Sequence, residues 1–162
     1  MLEKIFPKQF DNQYRGHWVA LVLLWIITAF KTLMAYNTAI NSRYGAVNAD
    51  GIPIDSYSPE AGIMVLNIFA KLGNMHFIIV ALSLLALIRY RAMVPLIYLI
   101  LVYEYLTRRL ITMVWLDVPY MRIADDTAGL IVQSLFLAMV IGFGLSIWSR
   151  GSDAGRVETA EG

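Results

Sequence analysis

Four long apolar stretches, each separated from the next by a short polar link, constrain this chain more than any other feature of it. A helix needs about 20 mostly apolar residues to cross roughly 30 Å of hydrocarbon. Four such helices take up most of a 162-residue chain, and the links are too short to build a soluble core of their own. A chain that is 59% hydrophobic and 15% charged has the balance of a polytopic membrane protein. The expected fold is therefore all-α, a single integral membrane four-helix bundle. The first apolar stretch begins after sixteen residues and carries Lys31 late, which reads as a retained helix and not as a signal peptide.

Local signals set the expected boundaries. Residues 1–16 form a polar lead with Lys4, Lys8 and Arg15 against Glu3 and Asp11, with Phe6 and Phe10 between them, suited to the membrane surface. The first helix is expected over 17–36, with Trp18 and Tyr36 at the interfaces. The second, 58–88, opens with Ser58 as N-cap and Pro59 at the first helical position, where a missing N–H costs nothing. The link Arg89-Tyr90-Arg91 is so short that the third helix, 92–115, must run antiparallel beside the second. The fourth is expected over 127–148, with Asp125 and Asp126 at its positive N-terminus. Asp50-Gly51 reads as a tight turn inside the longest loop, 41–57. The tail, 149–162, has no apolar pattern and is expected to be mobile.

Charge distribution orients the bundle. The lead, the Arg89/Arg91 turn and the tail with Arg150 and Arg156 lie on one side, against Arg43 and Arg122 on the other, so both termini are expected in the cytoplasm. The Lys and Arg form no patch, and a formal net charge of +1 gives no footprint for nucleic acid. With no cysteine there is no disulfide, thiolate nucleophile or Cys-ligated metal.

Polar residues at membrane depth are the most informative remaining feature, because an ionisable side chain there costs at least a few kcal/mol and calls for a partner. Counting about 1.5 Å per residue from each helix midpoint puts Lys31, Lys71, Arg108 and Gln133 roughly 6 to 8 Å outward of the midplane, with Glu104 near the midplane itself. Asn67, Lys71 and Asn74 share one helical face, and Glu104 and Arg108 stand one turn apart. These residues are the candidate buried polar network or ligand site, with Lys71 to Glu104 as the expected interhelical ion pair. In the structural reading, Asp117, Asp125, Asp126 or Glu60 fold down to neutralise the excess cations while Lys31 and Arg109 snorkel to the surface. In the functional reading, Lys71 and Arg108 hold an anionic or carbonyl-bearing ligand such as a lipid headgroup or a quinone.

His76 lies near the midplane but about 140° around the helix from Lys71, so it does not join the same face. It reads as a hydrogen-bonded interior histidine, with a single-ligand contact to a pigment or haem, or a contact to a partner subunit, as the alternatives. The only other histidine, His17, is at the far edge of the bundle, which disfavours bis-histidine haem ligation. Trp25, Tyr98, Tyr103 and Tyr105 bring rings inside the bilayer, more readily for packing than for stacking on a flat ligand. Gly129 and Gly144 share a face with Asp126 and Gln133, and Gly142 and Gly144 read as packing glycines, not a phosphate loop. No cofactor can be named.

The longer loop after the first helix, the basic turn Arg89-Tyr90-Arg91 and the polar residues inside the helices give the chain an architecture that resembles the small four-helix membrane proteins of the DoxX-like type. The resemblance rests on layout and carries over no site residue. It implies a bacterial cytoplasmic-membrane protein, in a group of diverse roles of which some members attach to respiratory oxidoreductases. Three functions are then in play. The first is a non-catalytic accessory or assembly subunit, docking on other membrane subunits of a larger complex, with an energy-transducing one among the options. The second is a small binder of a quinone, lipid or similar ligand, or an oxidoreductase component, using the polar layer. The third is a proton-coupled transporter loading Glu104. No nucleophile with a positioned base can be assembled, which places hydrolysis last.

Overall fold

Helix formation in this chain is driven from the ends as well as by apolar content. Ser58 accepts the Ala61 N–H at 3.3 Å, Pro59 occupies the first turn and Glu60 adds a negative charge there, so the second long helix starts where the sequence signals it. The first long helix has a less usual cap, the Nδ1 of His17, which accepts the Val19 N–H at 3.3 Å. A computed structural model describes residues 5–7, 9, 11–111, 114 and 126–148. Among these residues there is no strand, and the structure is all-helical.

Four long helices follow in order: α1 (Trp18–Ala39), α2 (Pro59–Ile88), α3 (Val94–Leu110) and α4 (Asp126–Ile147). Each packs on its neighbours in the cyclic order α1, α2, α3, α4, and the α1–α2 contact is the most extensive. Three segments, Trp18–Ala39, Pro59–Ile88 and Gly129–Ile147, are long and apolar enough to cross a membrane. The third helix is shorter, 17 residues, and carries Glu104, Arg108 and Arg109 in its second half. It begins at Val94 and not at Ala92, because Arg91–Met93 forms a tighter turn ahead of it. Ile111 and Val114 follow in a wider helical turn; the other residues expected to continue it to 115 lie outside the described set, as do Asp117, Asp125 and the tail.

The first helix runs three residues past the expected Tyr36, through Asn37, Thr38 and Ala39. The Thr38 hydroxyl donates to the Met34 carbonyl at 2.8 Å, so this polar end satisfies itself along its own backbone. Thr28, Thr32 and Ser83 do the same four residues back, and Ser146 three back. Close approach of α2 to this end depends on Gly73, where a Cβ would fall on the Ala39 backbone.

Two ends of the molecule can now be distinguished. At the lead end, Tyr14 donates to the His17 carbonyl, the His17 N–H to the Leu145 carbonyl and the Ala92 N–H to the Asp11 carbonyl, so residues 11–17 are tied across α3 and α4. At the loop end, residues 40–58 fold through short helical turns (Ser42–Tyr44, Gly45–Ala49, Ile54–Ser56). Gly51 has φ 66°, the left-handed geometry that favours glycine, at the expected Asp50-Gly51 turn. Ile54 is buried against Gly62, and Arg43 pairs with Asp55 on the surface.

The apolar core belongs to the lead-end half. Ala20, Leu24 and Ile27 of α1 meet Ala86 and Leu87 of α2, Val94, Ile97, Tyr98 and Leu101 of α3, and Leu135 and Met139 of α4. Tyr98 is wholly buried and its hydroxyl donates to the Ala20 carbonyl at 2.7 Å, linking the diagonal helices α1 and α3. The ring lies against Gly142, where any Cβ would collide with it. Gly144, expected to share the packing role, has open space around it, because two residues of helix turn it about 200° from Gly142.

Candidate functional site

Three of the sequence candidates come together, and they are not the three expected. The Lys31 ammonium lies 2.7 Å from Glu104 Oε2, and the other carboxylate oxygen, Oε1, lies 3.6 Å from His76 Nε2. The cluster joins α1, α2 and α3 just beyond the apolar core. Lys31 and His76 are almost completely buried, at 5% and 4% side-chain exposure, while Glu104 retains 20%. At 3.6 Å the histidine contact is electrostatic and too long for a hydrogen bond. Among the described residues, the buried His76 Nδ1 has no hydrogen-bond partner.

The expected Lys71–Glu104 pair does not form. Glu104 takes Lys31 instead, and Lys31 does not snorkel to the surface. The reason is azimuth. Buried positions on α2 run Gly73, His76, Val80, Ser83 and Leu87, spaced by three and four, which is one helical face. Lys71 stands about 140° from His76, so only one of them can point inward, and the small and apolar stripe decides for His76. The stripe Leu24, Ile27, Thr28, Lys31, Ala35 puts Lys31 on the inward face of α1 in the same way. Glu104 continues the inward run Ile97, Leu101 of α3. Depth alone does not separate Lys31 from Lys71, because it ignores which way each residue faces. A face assignment drawn from the apolar stripes would have selected this trio.

The remaining candidates lie elsewhere. Asn67, Lys71 and Asn74 share a face of α2, as expected, but that face looks outward and all three are exposed. Among the described residues Lys71 has no hydrogen-bond or ion-pair partner. Gln133 is exposed on α4, two residues before the buried Leu135 and so about 200° around the helix from it. Arg108 is exposed at the loop end. Its charge reaches both Asp50 of the long loop, a residue expected at the turn there, and Glu104. Burial pushes the Asp50 carboxyl above its ordinary value, against the opposing pull of the Arg108 and His76 charges. Glu60, one of the expected neutralising groups, is exposed on the first turn of α2.

Of the aromatic candidates, Tyr98 packs in the core and Tyr105 stacks on Phe136 with ring centres 4.3 Å apart, whereas Tyr103 and Trp25 face outward. His17 is at the lead end, spent on the α1 cap, and His76 is in the middle of α2. Among the described residues no three His, Asp or Glu side chains are grouped to hold a metal.

Chemically, the trio is a fixed charge arrangement. Lys31 and Glu104 neutralise one another away from water, and removal of either leaves a buried charge, a change that costs about 3–5 kcal/mol in comparable pairs. Compared with known protein families, curated proteins and solved structures, the chain matches none.

Proposed function

We propose that this chain is a non-catalytic accessory subunit of a larger membrane complex, a four-helix transmembrane protein whose α2 docks on a partner's helix. The observation that carries the reading is the outward polar face Asn67, Lys71, Asn74. The 30-residue α2 is about 45 Å long, some 15 Å more than a hydrocarbon core. Lys71 lies roughly 18 Å from the loop end of that helix and 26 Å from the other, so it falls within the hydrocarbon wherever the excess length protrudes. A lysine facing lipid at that depth costs a few kcal/mol. A partner helix presenting a carboxylate and amide-bonding groups removes that cost, and interhelical hydrogen bonds of this kind hold membrane helices together. The Lys and Arg of the lead-end links support a cytoplasmic side for that end, and the layout is consistent with the DoxX-like resemblance, which implies a bacterial cytoplasmic membrane and a group of which some members attach to respiratory oxidoreductases.

Gentle extraction of the native membrane, followed by intact mass measurement, tests this. A fixed-stoichiometry assembly with other subunits, lost in Lys71→Leu while the chain itself stays folded, is the expected result. A monomer whose behaviour is indifferent to Lys71→Leu overturns it.

A second reading is favoured by the unpartnered His76 Nδ1. A buried polar atom without a partner calls for water or a ligand, and a small carbonyl-bearing molecule such as a quinone would accept from it beside Lys31 and Glu104. Stoichiometric co-purification of such a molecule, lost in His76→Phe, would favour this reading over docking alone. A transporter loading Glu104 fits less well, since that carboxylate is already engaged by Lys31 at 2.7 Å.

A further inference from the structure

The lead end contains a feature that neither the docking face nor the buried trio uses. Between the lead and the first turns of α3 lies a cavity of about 380 Å³, within the size range of small-ligand sites. Its polar lining includes Asp11, Tyr14, Arg15 and Arg91, with Pro95 and Ser146 among the walls. The cavity is held open by fixed backbone. Ala92 donates to the Asp11 carbonyl, His17 to that of Leu145, and Gly16 passes so close to the Ser146 carbonyl and the Tyr14 ring that a Cβ there would collide with both. Burial pushes the Tyr14 hydroxyl up to about 12, so it stays a neutral donor, and it caps the His17 carbonyl.

Its charges are of both signs. Arg15 and Arg91 are exposed guanidiniums, the second tethered through its Nε to the Leu87 carbonyl at 3.3 Å. The Asp11 carboxylate accepts the Gln13 N–H at 3.1 Å through one oxygen and has its second oxygen to offer. Two guanidiniums suit a phosphate, since they supply bidentate donors to its oxygens. A carboxylate beside them would repel a simple anion, but it complements a ligand that carries a cation next to its phosphate. Trp18 and Trp148, both strongly exposed at this same end, mark the level where indole rings favour the headgroup zone of a bilayer.

We propose that this cavity binds the headgroup of an amine-bearing phospholipid, its phosphodiester on Arg15 and Arg91 and its primary ammonium on Asp11. The site rests on the membrane reading but not on the docking reading. It acts as a clamp, joining the lead, α3 and α4 through one lipid.

The test uses the full chain in nanodiscs of equal parts phosphatidylethanolamine, phosphatidylcholine and phosphatidylglycerol, released into mild detergent for native mass spectrometry. One phosphatidylethanolamine should remain bound, favoured about tenfold over the other two, as expected for a charge-assisted contact that only a primary ammonium makes. Arg15→Gln, which removes no hydrogen bond among the described residues, should lower retention of every lipid. Asp11→Asn should keep lipid but lose the discrimination between ethanolamine and choline. Equal retention of the three lipids, or retention unchanged by Arg15→Gln, overturns the proposal. Inorganic phosphate at millimolar concentration separates the sources: displacement of the lipid by phosphate, or phosphate bound with no lipid retained, also overturns it. Flotation of the wild-type chain with vesicles checks membrane insertion independently, so failure of the membrane reading is distinguishable from failure of the site.

Discussion

The two faces of α2 carry similar chemistry in opposite circumstances. The inward face sets His76 against a carboxylate that is already paired with Lys31, in a place closed to solvent. The outward face sets Lys71 between two asparagines with no partner from the described residues. The difference teaches that a polar residue in an apolar helix has a meaning set by its azimuth. On the inward face it is a joint between helices of one chain. On the outward face, in the docking proposed above, it is a contact for a second molecule.

The contrast can be broken most strongly at the inward joint. Glu104→Gln strands the Lys31 ammonium in the interior and should lower stability by about 3–5 kcal/mol, measured by thermal or denaturant unfolding in detergent. The double variant Lys31→Met with Glu104→Leu should recover most of that loss, because apolar residues of similar volume replace a buried pair at little net cost. If the double variant is as unstable as the single, the pair is not what joins α1 to α3.

Gly73→Leu is next in size. It forces α2 away from the Ala39 backbone and should cost about 1–3 kcal/mol by overpacking. Gly144→Leu, with open space at its Cβ, serves as the control and should change stability by less than about 0.5 kcal/mol.

On the outward face, Lys71→Leu should leave the unfolding of the isolated chain unchanged within about 0.5 kcal/mol. Its effect should appear only as loss of partner subunits. A large change in the isolated chain would show that Lys71 has an internal role and would merge the two faces.

The smallest expected effect is a pH dependence at the loop end. Burial raises the Asp50 carboxyl above its ordinary value, so the folded state binds its proton more tightly than the unfolded chain does. Stability should therefore fall as pH rises from about 4 through the raised value. Asp50→Asn should flatten this part of the profile and be slightly more stable than the wild type at neutral pH. A profile that instead rises over the same interval would reverse the balance between burial and the Arg108 and His76 charges.

Much of this organisation is legible in the chain. Ser58 and Pro59 announce the start of α2, Asp50 and Gly51 the turn, and Arg89-Tyr90-Arg91 the short return into α3, because caps and turns depend on neighbours in sequence. The polar layer is legible too, as a level. Pairing within it is not readable from depth, since a lysine chain spans about a helical turn and depth ignores which way a residue faces. Reading the stripe Gly73, Val80, Ser83, Leu87 as the inward face would have excluded Lys71 and admitted His76. Asp50 was beyond reach of any such pattern. Its position over the helices depends on the path of the loop, which is set by contacts such as Ile54 on Gly62 and Ile52 N–H on the Ala46 carbonyl.

The contact between Tyr98 and Gly142 has an evolutionary corollary. The ring fills the space a side chain at 142 would need, and its hydroxyl is anchored on Ala20. The two positions must therefore drift together. A descendant sequence that acquires alanine or valine at 142 should carry a smaller residue at 98, and in passing through that change it would lose the tether between α1 and α3. Such a lineage would need a new polar bridge across the diagonal, or would come to rely entirely on Lys31 and Glu104 to keep those two helices in register.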